Sequence, residues 1–248
     1  MFAGQNVVIT GAGRGIGREL ALAFAGLGAR VLVHYGYAWQ EAENVIKQID
    51  RDGGEALLVQ ADLSDRAETL RFIENAHTLL GTVDVWINNA GASANKAETH
   101  GLSDIERFER MLAVDVLAVW LCCQGASEYM REGSSILNLG WNHALDGAPG
   151  LASQLYATSK GAVISMTRSL ARAYAPHIRV NCIAPGWIEN EWALSRSENF
   201  RQRITQQIPM DRWGTASDIV NTALFLASPA ASFITGQILV VDGGEVMQ

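Results

Sequence analysis

NVVITGAGRGIG, residues Asn6–Gly17, runs from an apolar stretch into a turn holding four glycines. Val7–Thr10 reads as a strand and the residues beyond the turn as a helix reaching about Gly26, so the stretch is one strand–turn–helix unit. A strand apolar on both faces belongs in a sheet covered on both sides. Glycines in such a turn let a bound group approach the backbone, and the free N–H groups of the helix start favour an anion such as a pyrophosphate. The spacing is not G-x-G-x-x-G, because that pattern from Gly11 and Gly13 needs a glycine where the chain has Ile16. It is G-x-x-x-G-x-G over Gly11, Gly15 and Gly17. A tight turn with no ligand fits the same residues, and the motif alone leaves both readings open.

The alternation of strand and helix continues outward from this unit. Arg30–His34, Ala56–Gln60, Val83–Asn88, the run containing Ile136, Leu137 and Leu139, Arg179–Ile183 and Ile238–Val241 read as further strands. Between them lie helical segments at Gln40–Asp52 and Asp65–Leu80, and a long helix opened by a Ser103/Glu106 capping box and running to about Arg131. A helix ending at Tyr174, before Pro176, follows, then helices near Ser195–Gln207 and Ala216–Ala227. A loop is expected from Asn88 to Gly101. This order predicts one α/β domain over residues 1–248, a doubly wound, mostly parallel sheet of seven strands with helices on both faces. Thr10, Asn88, Leu139 and Ile183 end strands, so the loops beyond them meet along one edge, where such sheets bind ligands.

Composition narrows the function classes. The 248 residues are 48% hydrophobic and 18% charged, the balance of a soluble globular protein, and a net charge of -7 argues against nucleic acid or an anionic membrane as partner. The longest apolar run, Val114–Cys123, is interrupted by Asp115, so no membrane span is expected. The first strand starts almost at once and leaves no room for a signal peptide. Three cysteines, Cys122, Cys123 and Cys182, make neither a disulfide framework nor a metal-ligand spacing. A reduced, cytoplasmic setting without a metal fits these features.

A second chemical signal lies in Ser135–Gly161, where an apolar strand leads through a glycine-bearing loop into a helix. Tyr156 and Lys160 stand four residues apart there and share one helix face. An ammonium beside a phenol favours the phenolate, so Tyr156 is expected to titrate below the usual value of about 10, nearer what acid–base catalysis requires. A core-facing Tyr beside a solvated Lys has the same spacing.

Thr10-Gly11, Gly15-Ile16-Gly17, Asp62-Leu63, Asn88-Asn89-Ala90-Gly91, Tyr156 with Lys160, Pro185-Gly186, Thr235-Gly236 and Asp242-Gly243-Gly244 occur in the order and spacing of the short-chain dehydrogenase/reductases. The chain resembles that family from end to end, and is similar to its 3-oxoacyl-carrier-protein reductase branch. The resemblance implies a Rossmann domain and an NAD(P)(H)-dependent oxidoreductase working on a carbonyl/alcohol pair. It implies Gly11, Arg14, Gly15, Ile16 and Gly17 beside the pyrophosphate and Asp62 and Leu63 beside adenine. Asn89, Ala90 and Gly91 would line the cofactor's inner edge, and Pro185, Gly186 and Ile188 would frame the nicotinamide. Tyr156 would exchange a proton with the substrate oxygen, and Lys160 would bond the nicotinamide ribose. Association through the long fourth and fifth helices, common in the family, implies a homotetramer or homodimer.

Cofactor choice turns on the end of the second strand. His34-Tyr35-Gly36-Tyr37 offers no carboxylate to bond ribose hydroxyls and repel a 2′-phosphate, and Arg14 lies in the glycine loop. NADP(H) is therefore favoured over NAD(H). A solvated Arg14 with Tyr35 stacked near adenine is the other reading.

The family pattern breaks after the fifth strand, where a serine usually bonds the substrate carbonyl. This chain has Asn138-Leu139-Gly140-Trp141-Asn142-His143. Aligned on the strand, the serine's place holds Trp141; counted back thirteen residues from Tyr156 it holds His143. Three readings follow. His143 or Asn142 replaces the serine as donor, Tyr156 and Lys160 suffice for an activated substrate, or the chain is a dinucleotide-binding or regulatory protein without chemistry. Retention of Tyr156 and Lys160 favours the first two, and His143 as an ordinary loop residue stays open. Asp115 replaces a family asparagine, and its carboxylate would raise the Tyr156 pKa. Asn190 replaces a family threonine near the nicotinamide. Trp187 and Trp192 fall in the family's substrate lid; with Trp141 they would surround a bulky or ring-bearing substrate, or else pack in the core or a subunit contact.

Overall fold

Val7, Val8 and Ile9 have no exposed surface, because β1 (Asn6–Ile9) runs through the middle of a seven-stranded sheet ordered β3-β2-β1-β4-β5-β6-β7. The computed structural model describes residues 1–92 and 101–247. The other strands are β2 (Arg30–Tyr35), β3 (Glu55–Gln60), β4 (Val83–Asn88), β5 (Met130–Leu139), β6 (Ile178–Pro185) and β7 (Ile238–Val241), and every pairing is parallel. The helices are α1 (Gly15–Gly26), α2 (Trp39–Arg51), α3 (Arg66–Leu80), α4 (Asp104–Met111), α5 (Val119–Ser127), α6 (Leu151–Tyr174), α7 (Glu191–Leu194), α8 (Glu198–Thr205) and α9 (Ala216–Ala227).

Strand alternation divides the core between two faces. Val7, Ile9, Val31 and Val33 point to one side and meet Leu20 and Phe24 of α1, Val45 of α2 and Ile219 of α9. Val8, Leu32, Trp86 and Ile136 point to the other and meet Phe72 of α3, Cys122 of α5 and Leu170 of α6. Strand order reverses between β1 and β4, and this switch point opens a crevice at the carboxyl ends of the strands.

Two expectations about boundaries change. The long helix does not reach Arg131: it passes from α4 through a π-helical segment, Leu112–Ala118, into α5 and ends at Ser127. Met130 pairs with Val83 and Arg131 bonds Asp84 at 2.7 Å, so these residues start β5 instead. The expected Ser195–Gln207 helix is shorter, α8 over Glu198–Thr205, because Ser197 accepts a bond from the Phe200 N–H and caps it; the short α7 precedes it as a separate helix. The loop expected after β4 lies mostly, at 93–100, outside the described residues. By length and composition Asp104–Ser127 is apolar enough to cross a membrane; here half of its most apolar window is buried inside the fold.

Candidate active site

The loops after β1 and β4 are clasped together at the switch point. Thr10 Oγ1 accepts from the backbone N–H groups of Asn89 and Ala90, each at 3.0 Å. Asn89 Nδ2 donates to the carbonyls of Thr10 (2.9 Å) and Gly11 (3.0 Å). A Cβ on Gly11 would lie 2.9 Å from Ala90 Cα, and one on Gly17 would lie 2.3 Å from the Gly11 oxygen. These two glycines are required by packing within the protein. Gly15 is different: its φ is +55° and a Cβ there would meet nothing within 4 Å. Arg14, the exposed N-cap of α1, makes no side-chain cap bond, and the first turn carries no acidic residue. A helix start with an open glycine and no acidic residue in its own first turn fits a dinucleotide pyrophosphate.

His34, near the end of β2, turns inward. It is 2% exposed, takes the Gly11 N–H on Nδ1 at 3.1 Å, and has Nε2 3.0 Å from the Ala61 carbonyl. That pairing sets the tautomer, with the proton on Nε2. Burial, only partly opposed by the Ala61 carbonyl and the charge of Asp62, lowers its pKa to about 4. His34 is thus a support beneath the glycine loop. Beyond β3, Asp62 accepts from the Tyr37 hydroxyl and from Ser64 N (2.9 Å) and Oγ (2.7 Å). Arg110, a residue the sequence did not single out, lies 5.6 Å from the Tyr37 ring centre and 3.9 Å from Asp62. Leu63, beside Asp62, is buried.

Tyr156 and Lys160 share a face of α6, with Lys160 Nζ 5.5 Å from the Tyr156 ring centre. Lys160 donates to the Leu139 carbonyl at 3.0 Å, the last residue of β5, and stands 3.9 Å from Asp115 Oδ2. Asp115 is held by the Ala92 N–H (2.7 Å) and the Ser159 hydroxyl (3.2 Å). It reaches these partners from the π-helical segment, a distortion that often marks functional sites. A Cβ on Gly91 would come 3.5 Å from Asp115 and 3.7 Å from Lys160, so the loop after β4 closes this group.

The expected lowering of the Tyr156 pKa does not occur. Burial raises it most, Lys160 pulls it down and Asp115 pushes it up, and the balance lies above an ordinary phenol. For Lys160, burial opposes the charge, but Asp115, Tyr156 and Cys182 together hold its pKa above the usual lysine value. The pair therefore rests as a neutral phenol beside an ammonium.

The turn that departs from the family folds back onto residues near the C-terminus. Trp141 lays its ring 5.1 Å from that of Tyr156 and 5.1 Å from that of His143. Asn142 is fully buried and donates to Asp242 (3.1 Å) and Glu245 (2.9 Å). The ring nitrogens of His143 lie 3.2 Å from Asp146 and 3.1 Å from Glu245. Gly186 packs against the same group; a Cβ on it would stand 2.5 Å from Asp242 Cβ. Pro185 ends β6, and Ile188 is buried and bridged to Gly214. Asn190 caps α7 by accepting from the Ala193 N–H at 2.9 Å. Trp187 and Trp192 stack at 6.2 Å and pack with Phe200, while Trp187 also meets Trp213. Those two indoles form a cluster of their own, separate from the Trp141–Tyr156 contact.

Residues 11–245 match the family described as enoyl-(acyl carrier protein) reductase. The chain is 34% identical over 246 residues to the 3-oxoacyl-(acyl-carrier-protein) reductase FabG of Staphylococcus aureus, with 98% of each covered. A short chain dehydrogenase from Burkholderia cenocepacia, solved in complex with NADP, superposes with a TM-score of 0.89 at 29% identity, over 98% of each chain. The chain belongs to the short-chain dehydrogenase/reductase family. A blue fluorescent protein from a metagenomic library, solved with NADPH, superposes at 0.90 with 31% identity over 99% of each chain. This short-chain dehydrogenase/reductase is accordingly an NAD(P)-dependent oxidoreductase.

The fold brings Gly11, Arg14, Gly15, Ile16, Gly17, Asn89, Ala90 and Gly91 to one stretch of this enzyme's crevice, and Tyr156, Lys160 and Asp115 to the next. Sequence reading missed Glu245 and the part played by Asp242 in this dehydrogenase/reductase. Both are acidic residues in a terminal segment of small residues, but only their partners, roughly a hundred positions earlier, give them meaning.

Proposed function

We propose that this protein is an NADP(H)-dependent reductase of a bulky or ring-bearing carbonyl, with Tyr156 as the proton donor and Lys160 as its electrostatic partner. The observation that carries this reading is the ammonium of Lys160, anchored on the Leu139 carbonyl and Asp115 beside the Tyr156 ring. When bound, the nicotinamide supplies or accepts the hydride. Tyr156 Oη gives its proton to the substrate oxygen in reduction and recovers it in oxidation. A phenol held above its ordinary pKa is protonated at neutral pH, which favours carbonyl reduction. Lys160 stabilises the phenolate that forms, and its Nζ also serves the nicotinamide ribose. The amides of the first turn of α1 and Arg14 hold the phosphates. Asp62 and Leu63 flank adenine, while Pro185, Gly186 and Ile188 border the ring.

NADP(H) is supported over NAD(H) by the strand end at Tyr35–Tyr37, which lacks a carboxylate, and by the exposed Arg14 at the helix start. The relatives solved with NADP and NADPH agree with this choice. In the turn without serine, Trp141 forms the wall beside Tyr156 and selects for substrates with apolar surface. His143 joins the site as a substrate donor by releasing one of its two carboxylate partners. Leu117 and Trp120, exposed on the π segment and α5, support assembly as a homotetramer or homodimer.

Turnover of a panel of ketones and alcohols with NADPH and NADH, in wild type, Tyr156→Phe and His143→Ala, tests this reading. Tyr156→Phe is expected to lose about 10²–10⁴-fold in kcat with cofactor affinity retained. Cofactor binding without turnover of any panel member would support a non-catalytic binding or regulatory protein instead. Full activity in His143→Ala removes His143 from the mechanism, and preference for small polar ketones removes the apolar wall.

A further inference from the structure

One buried carboxylate joins three donors from two separate parts of the site. Glu245 Oε2 accepts from Asn142 Nδ2 at 2.9 Å, and Oε1 accepts from Trp187 Nε1 at 2.8 Å and lies 3.1 Å from His143 Nε2. Its side chain is only 6% exposed. Asn142 and His143 belong to the turn that places Trp141 on Tyr156, while Trp187 begins the segment after β6 that follows Pro185-Gly186.

The local chain is built to deliver Glu245 there. Asp242 takes the N–H groups of Gly244 (2.9 Å) and Val246 (2.8 Å) and a second contact from Asn142 at 3.1 Å. Gly243 and Gly244 both adopt positive φ, 71° and 88°, a curl that side chains disfavour. Charge-assisted bonds to a buried carboxylate are among the stronger ones, and removing the acceptor leaves its donors unsatisfied.

We propose that Glu245 is a positioning residue: it locks the Trp141–His143 turn and the Trp187 segment into one arrangement, and through Trp141 sets the wall beside Tyr156. This rests on the reading of Tyr156 as the proton donor. The coupling is symmetric, so loosening the Trp187 side also loosens the turn.

The test compares the full-length wild type, Glu245→Gln, Trp187→Phe and the double variant. Two readouts are used: hydrogen–deuterium exchange of peptides covering 140–147 and 186–194, and kcat/KM for a reducible ketone with NADPH. Glu245→Gln keeps the shape but turns an amide toward three donors. It is expected to speed exchange in both segments together and to lower kcat/KM by about 10–100-fold, with NADPH affinity within about twofold of wild type. Trp187→Phe is expected to loosen 140–147 as well as its own segment, and the double variant to fall no further than Glu245→Gln. Faster exchange confined to the mutated segment, strictly additive losses, or an unchanged kcat/KM would overturn the proposal. So would general unfolding in Glu245→Gln together with a silent Trp187→Phe. If the wild type reduces no ketone, the acid–base reading fails separately, and exchange still decides whether Glu245 joins the two segments.

Discussion

The carboxylate of Asp115 lies 3.9 Å from the ammonium of Lys160, and both side chains are almost fully buried. Asp115 holds the lysine charged and, acting on the neighbouring phenol, makes Tyr156 a weaker acid. Asp115→Asn removes that negative charge while an amide oxygen remains for the Ala92 N–H. The Tyr156 pKa is then expected to fall, and that of Lys160 with it. In a pH–rate profile of alcohol oxidation, which needs the phenolate, the rising limb on the acid side should move to lower pH. An unmoved limb would mean that the titrating group is not Tyr156.

Acid stability should depend on His34. Its folded pKa of about 4 lies below the ordinary 6.5, so the unfolded chain binds the extra proton first as pH falls. The contribution is complete above pH 6.5 and is lost as pH drops from there toward 4, by about 3 kcal/mol for a shift of this size. Urea unfolding measured across that window should show the slope in wild type. His34→Gln, which can still accept from Gly11 and donate to Ala61, should be flatter by most of that amount.

Glycines in the first loop should separate by what surrounds them. Gly17→Ala forces a methyl to within 2.3 Å of the Gly11 oxygen and 2.5 Å of Asn89 Nδ2. The clasp between the loops must shift, and NADPH affinity is expected to fall by more than about tenfold. Gly15→Ala meets no atom of the described residues, so its stability cost is the strain of its positive φ, about 1 kcal/mol, and any loss of NADPH affinity comes from the methyl entering the space left for the phosphates. Isothermal titration and thermal melts on both variants distinguish the two.

Cofactor choice should follow Arg14. Arg14→Ala is expected to weaken NADPH more than NADH, narrowing the ratio of their dissociation constants by about 10-fold or more. Equal weakening of both would assign Arg14 to the pyrophosphate, leaving preference to another group.

Most of the fold was legible because strand burial and helix periodicity are local. Val83–Asn88 and Ile238–Val241 have the expected limits, and the Ser103/Glu106 capping box opens α4 as read. What escaped is set by distant partners. Arg131 is an ordinary helix residue until Asp84 draws it to a strand edge. His34 counted in the sequence only as part of a strand end without a carboxylate; that its ring turns to the Gly11 N–H, 23 positions away, is set by the fold. The spacing of Tyr156 and Lys160 gave the direction of one influence on the phenol, but burial, which spacing does not report, is the larger one. The turn at Trp141–His143 was recognisable as unusual, yet nothing local to it points to Glu245.

The widened helical turn at Leu112–Ala118 also has a consequence for evolution of the chain. A widened turn accommodates a residue that a regular helix would not, so the stripe facing inward before it and the stripe facing inward after it are out of phase. Deleting one residue there would close the widened turn into regular winding and leave the flanking helices in their present phase, because the turn already absorbs the roughly 100° that one residue adds. Cys122 and Cys123 would stay in the core, while Asp115, which sits inside the widened turn, would be re-aimed away from the lysine, so a one-residue deletion there spares the packing and strikes the site.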